Sequence, residues 1–181
     1  MIKENILVSH NQIIIRSIPF DEDIQKWDEE SLEKGIIWNK NYVVLDPLVD
    51  DSFGCWFLID KKEELLPSET SIRSAIIPFE ITNETDFSIN TVSESVKLYK
   101  DPAITIEEEQ SKGIYFPLNT LQSYRFEEGS YCMLFEICMG KPTDEIEEDE
   151  VYYRFIFKKE ARPVFKVLKD DPYGWNTQFS L

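Results

Sequence analysis

The 181-residue sequence predicts a mainly β protein, a β-sandwich of about ten strands with one short N-terminal helix. Three observations carry that expectation. About ten runs are rich in Ile, Val, Phe and Tyr, residue types that fit a pleated, half-buried surface, and polar turns such as "PLVDDS", "TNET" and "EEG" separate them. In "IRSAIIPFEI" the apolar residues alternate, so that Ala75, Ile77, Phe79 and Ile81 share one face, as a sheet buried on one side requires. Only "WDEESLEKG" carries the start and stop signals of a helix.

Taken in order, the chain opens with "NILVSHNQIIIR" (5–16), which reads as one N-terminal strand. A proline-containing link leads to "FDEDIQKWDEESLEKG" (20–35), which holds seven carboxylates against two lysines. Here Asp28 is a good N-cap, and Trp27 before it with Leu32 inside the helix form a hydrophobic staple. Glu29 and Glu30 suit the positive end of the helix dipole, Lys34 the negative end, and Gly35 the left-handed stop, which predicts a helix over about 29–34. Capping and the dipole account for Asp28, Glu29 and Glu30, but leave Asp21, Glu22, Asp23 and Glu33 without a local reason.

Strands follow at "NYVVLD", "FGCWFLID", "IRSAIIPFEI", "DFSINTV", "SVKLYK", "GIYFPL", "SYCMLFEICM", "VYYRFIFK" and "PVFKVLK". Of these, "CWFLI" and "MLFEI" are apolar on both faces and belong at the centre of a sheet. No repeat of 20 to 50 residues is present, and the one low-complexity tract is the acidic loop 144–150. We read 1–181 as a single β-sandwich domain, with 141–181 a C-terminal extension packed on the same domain.

Charge narrows the function. The chain has 35 acidic and 19 basic residues, a net charge of −16, yet 42% hydrophobic and 13% aromatic residues give it enough apolar surface to fold. The acidity therefore describes a surface. Such a surface opposes approach to nucleic acid or anionic lipid, which bind through Lys and Arg, and attracts basic proteins. Residues 151–181 depart from this, with 3 acidic and 6 basic side chains against 32 and 13 in residues 1–150. That segment either pairs with the acidic body or binds something itself. Cys55, Cys132 and Cys138 are an odd count without a CxxC pair, so we expect them reduced and mostly buried. No signal-peptide pattern opens the chain and no 18-residue apolar stretch occurs, from which a soluble, cytoplasmic protein is expected.

Catalytic motifs are absent. The lone His10 lies in a strand-like run, where a structural hydrogen-bonding role is favoured, and the sequence has no GxSxG, P-loop or GxGxxG. Two carboxylates could serve a hydrolase, but among 35 acids spacing singles out no pair. No cofactor is implied and the protein is expected not to be an enzyme. A calcium-dependent, ligand-binding β-sandwich is the alternative from another class, with hard oxygen ligands offered by Asp21 and Asp23, Asp50 and Asp51, or Asp144, Glu145 and Glu147. The loop "DEIEEDE" is either a charged hairpin tip that aids solubility or a polyanionic arm that steers a basic partner. Tyr173 and Trp175, in the turn-rich "DDPYGWN", are candidate exposed aromatics, whereas Trp38 and Trp56 are expected in the core.

The order of "ILVSHNQIII", "WDEESLEKG", "AIIPFEIT" and "FEEGSYCMLFEI" resembles the competence protein J family, the nuclease inhibitors of bacterial competence systems. The matching positions are Trp27, Glu29, Glu30, Glu33, Lys34, Gly35, Pro78, Phe79, Gly129 and Tyr131, and the resemblance covers about residues 5 to 140. It implies a protein that binds a DNA-degrading nuclease and blocks it. The expected partner-binding residues are Asp28, Glu29, Glu30 and Glu33 on the helix, with Asp144, Glu145, Glu147 and Glu148 assisting encounter, and with Trp27 and Gly35 as structural support. A basic active-site cleft built for phosphates can be occupied by an array of carboxylates.

Overall fold

A computed structural model describes residues 1–8, 12–47, 54–99, 103, 105–116, 126–170 and 179–181. Its strands form two six-stranded sheets. The first has the order β1 (Ile2–Leu7), β5 (Gly54–Lys61), β11 (Glu150–Lys159), β10 (Gly129–Gly140), β6 (Ser71–Ile81) and β12 (Lys166–Asp170). The second runs β3 (Ile36–Asn39), β4 (Tyr42–Leu45), β2 (Ile13–Arg16), β7 (Ser88–Asn90), β8 (Ser95–Lys97) and β9 (Ile114–Tyr115). Pairing is antiparallel except between β5 and β11 and between β8 and β9. This is the expected mainly β sandwich. Helix α1 (Glu29–Lys34) is where its caps place it, and a second short helix, α2 (Ile106–Gln110), precedes β9.

The two sheets close on one apolar core. Ile2, Ile6, Phe57, Ile59, Met133, Phe135 and Phe155 of the first sheet meet Ile13, Ile15, Val43, Leu45, Ile89 and Val96 of the second. The alternation in β6 holds, with Ala75, Ile77, Phe79 and Ile81 all about 1% exposed or less. At its centre Phe87, Phe126 and Phe157 pack edge to face, with centroids 5.0 to 5.4 Å apart, the arrangement that the ring quadrupole favours.

The sequence reading errs in several places. Residues 5–16 do not form one strand: β1 pairs with β5 in the first sheet, whereas β2 lies between β4 and β7 in the second. Consecutive Ile13, Ile14 and Ile15, each buried, need a strand covered on both faces, which the second sheet supplies. Strand β3 was not expected. Its residue Trp38 is 39% exposed instead of buried, because β3 is an edge strand. Trp56 does pack, with Leu58, Cys138 and Tyr152, on the outer face of the first sheet. His10, Asp50, Asp51, Tyr173 and Trp175 lie outside the described residues.

That outer face also carries a buried ion pair. Glu136 and Arg154 are directly opposite each other on β10 and β11. Glu136 is fully buried, accepts from Ser68 N–H at 2.8 Å and pairs with the Arg154 guanidinium. Burial raises the Glu136 carboxyl above its usual value, against the lowering effects of Ser68 N–H and Arg154.

Candidate functional site: the acidic layer over the second sheet

The acidic stretch of residues 20–35 is laid on the outer face of the second sheet. Ile14, Tyr42 and Val44 form the underlying apolar patch, and Ile18, Ile24, Trp27 and Ile37 pack on it. Trp27 is therefore held by the sheet; Leu32, expected as its staple partner, is 53% exposed. Gln25 fastens the same layer by donating to the Tyr42 hydroxyl at 2.7 Å and to the Asp21 carbonyl at 3.2 Å. Apolar and amide side chains point down, and the carboxylates are left at the surface.

Local chemistry then sorts those carboxylates. Asp21 caps a 3-10 turn (Glu22–Gln25) by accepting from Asp23 N–H at 2.9 Å, and Asp23 pairs with Lys26. Asp28 accepts from Ser31 N–H at 2.8 Å while Ser31 Oγ accepts from Asp28 N–H at 2.9 Å, a complete capping box. Donation by the Ser31 backbone and hydroxyl, with the Lys34 charge, holds the Asp28 carboxyl below its usual value. Glu30 pairs with Lys34 at 2.6 Å, one turn along. Gly35 ends α1 at φ 69°, in the left-handed region, and its N–H donates to Ser31 O at 2.8 Å. Among the described residues, the side chains of Glu22, Glu29 and Glu33 make no hydrogen bond or ion pair.

Between α1 and β3 opens a groove of about 210 Å³, lined among others by Asp28, Glu30, Lys34, Ile37, Trp38 and Leu181. The Trp38 indole N–H donates to Pro78 O at 2.8 Å, across the seam between the two sheets. Sequence reasoning missed this tryptophan as a surface residue. Its only signal was its place in "IIWN", directly after the helix stop.

The second acidic segment lies elsewhere. Asp144, Glu145, Glu147 and Glu148 are exposed on the turn that joins β10 to β11 in the first sheet, and no hydrogen bond or ion pair ties them to α1 among the described residues. Among the described residues no ion pair joins the basic segment to either one. Lys158 pairs with Glu160 at 3.6 Å, Lys159 with Glu127 at 2.8 Å, Lys169 donates to Ser71 O, and Arg154 is committed to Glu136. Among the described residues no three acidic, His or Cys side chains converge as metal ligands, and no helix is long and apolar enough to cross a membrane.

The family model of competence protein J (ComJ) matches residues 5–158, through β11. The chain belongs to the competence protein J family. Its fold is similar to the crystal structure of ComJ from Bacillus subtilis, an inhibitor of the DNA-degrading activity of NucA, with a TM-score of 0.57 and 11% identity over 88% of this chain and 99% of that one. No curated protein sequence matches the chain. The ten positions that carried the resemblance all lie inside the matched span, and Trp27, Glu29, Glu30, Glu33, Lys34 and Gly35 form the acidic layer described above.

Proposed function

We propose that this protein inhibits a DNA-degrading nuclease by direct binding, as its family membership and its likeness to the NucA inhibitor support. It is a binding protein and not an enzyme, acts in the cytoplasm, and takes a basic protein and no nucleic acid as its ligand. The whole chain, 141–181 included, works as one domain. Its α1 surface enters the basic active-site cleft of the nuclease and occupies phosphate positions with Glu29, Glu30 and Glu33, while Asp28 mainly holds the helix. The exposed Asp144, Glu145, Glu147 and Glu148 steer the encounter.

The observation that carries this reading is that the Glu29 and Glu33 side chains have no partner among the described residues, on a helix otherwise satisfied at both ends. Unpaired carboxylates on an anchored helix have their interaction energy available for a second protein. The test is a pull-down from a lysate of the source organism at low and high salt, with mass spectrometry and a nuclease assay on the eluate. Salt-sensitive recovery of a basic nuclease that is silent until released is expected. A recovered nuclease still active in the complex refutes inhibition, and unchanged inhibition by the triple variant Glu29→Lys, Glu30→Lys, Glu33→Lys removes α1 from the site.

A further inference from the structure

We propose that the groove between α1 and β3 receives one arginine side chain of the nuclease, stacked on Trp38 and hydrogen-bonded by Asp28 and Glu30. This rests on the inhibitor reading and adds a residue, Trp38, that charge alone does not identify. The groove measures about 210 Å³, below the roughly 300–1,000 Å³ of small-molecule sites, which matches a single side chain better than a metabolite.

Its lining has the chemistry of a guanidinium site. Asp28 uses Oδ1 on Ser31, and Glu30 uses Oε1 on Lys34, so that Oδ2 and Oε2 each remain as acceptors with no donor among the described residues. Trp38 contributes an aromatic surface that is 39% exposed yet has its one polar atom satisfied by Pro78. A ring fixed in this way loses little freedom when a partner covers it. Arginine fits these elements together: its planar fork reaches two acceptors while its face stacks on indole, which an ammonium group does not do. Lys34 is the one cation on the groove wall among the described residues, and its pairing with Glu30 through Oε1 is compatible with an arginine at Oε2.

The experiment uses the full chain with two probes, heptaarginine against heptalysine by calorimetry, and the nuclease recovered in the pull-down by inhibition titration. Wild type is expected to prefer heptaarginine by at least about three-fold, within the range of a surface cation–π contact. Trp38→Ala should abolish that preference and weaken the nuclease complex about thirty-fold, the loss that marks an aromatic anchor. Trp38→Phe, which keeps an aromatic face if the alanine variant fails to fold, should retain a reduced preference. Neutralising Glu147 and Glu148 should weaken both peptides equally. The inference is overturned if wild type shows no arginine preference, if the preference survives in Trp38→Ala, or if that variant inhibits the nuclease as tightly as wild type. Failure of the wild-type protein to inhibit any nuclease overturns the inhibitor reading, and the peptide titration keeps the two failures apart.

Discussion

Replacing Arg154 by Met places a buried carboxylate opposite an apolar side chain. Glu136 has no exposed surface and the Arg154 side chain only 11%, so solvent cannot substitute for the lost partner. Breaking one half of such a pair costs about 3–5 kcal/mol, which at about 2–4 °C per kcal/mol for a chain of this size lowers Tm by roughly 6–20 °C. The sign of the pH dependence follows from Glu136. Burial already raises its folded-state carboxyl above the unfolded value, and loss of Arg154 raises it further. A raised carboxyl binds its proton more tightly in the folded state, so stability is fully present below the unfolded value near 4.5 and is lost as pH rises through the folded value. The Arg154→Met deficit should therefore shrink between pH 7 and 5, by at most about 1.4 kcal/mol per unit for one proton. Replacing both residues, Glu136→Leu with Arg154→Met, removes both desolvation penalties and leaves Ser68 N–H unpaired, a cost of about 1–3 kcal/mol. The double variant should thus be more stable at pH 7 than Arg154→Met alone. Urea unfolding of the three variants at pH 7 and 5 reads all of this. A single-variant loss below about 1 kcal/mol, or one that does not change with pH, refutes the claim that this pair is desolvated.

Three further outcomes are expected. Gly35→Ala forces a side chain into the left-handed region at φ 69° and should cost about 1–2 kcal/mol by denaturant unfolding, an undiminished midpoint showing that the α1 stop tolerates a Cβ. Converting Asp144, Glu145, Glu147 and Glu148 to their amides should slow association with the nuclease and flatten its salt dependence in stopped-flow, leaving dissociation unchanged; an unaltered association rate makes the turn a solubility device. Cys138, fully buried and with its thiol pushed up to about 12 by burial and then by the nearby Glu136 charge, should react with a thiol reagent at pH 8 only as fast as the protein unfolds, whereas half-buried Cys132 should label first. Rapid native labelling at Cys138 on a peptide map contradicts that burial.

What the sequence makes legible here is what nearest neighbours decide. Asp28 and Gly35 bracket α1 through bonds to Ser31, only three and four residues away, and the alternation of Ala75, Ile77, Phe79 and Ile81 needs only the pleat. The mistakes come from long-range decisions. Whether Trp38 is covered depends on β3 ending its sheet, and the anchoring of Trp27 depends on Val44 and Tyr42, brought beneath it by β4. The Glu136–Arg154 pair is set by a register between two strands, and nothing in "MLFEI" or "YYRFI" states that register. For the same reason the groove was invisible: its walls come from α1, β3 and Leu181.

A surface that imitates a polyanion has to hold like charges together without a counterion, which is unfavourable before any partner arrives. Helix α1 spans six residues, too short to persist alone. Its order is supplied from outside the charges: by the capping box, by the Gly35 stop, and by Trp27, Ile24 and Ile37 seated on Ile14 and Val44. The carboxylates without partners are thereby attached to a rigid sheet, and their mutual repulsion is offset by apolar contacts on the opposite side of the layer. On the inhibitor reading proposed above, the exposed acids on the 144–149 turn act on the rate of encounter, whereas α1 with Trp38 presents the preorganised surface that sets the lifetime of the complex.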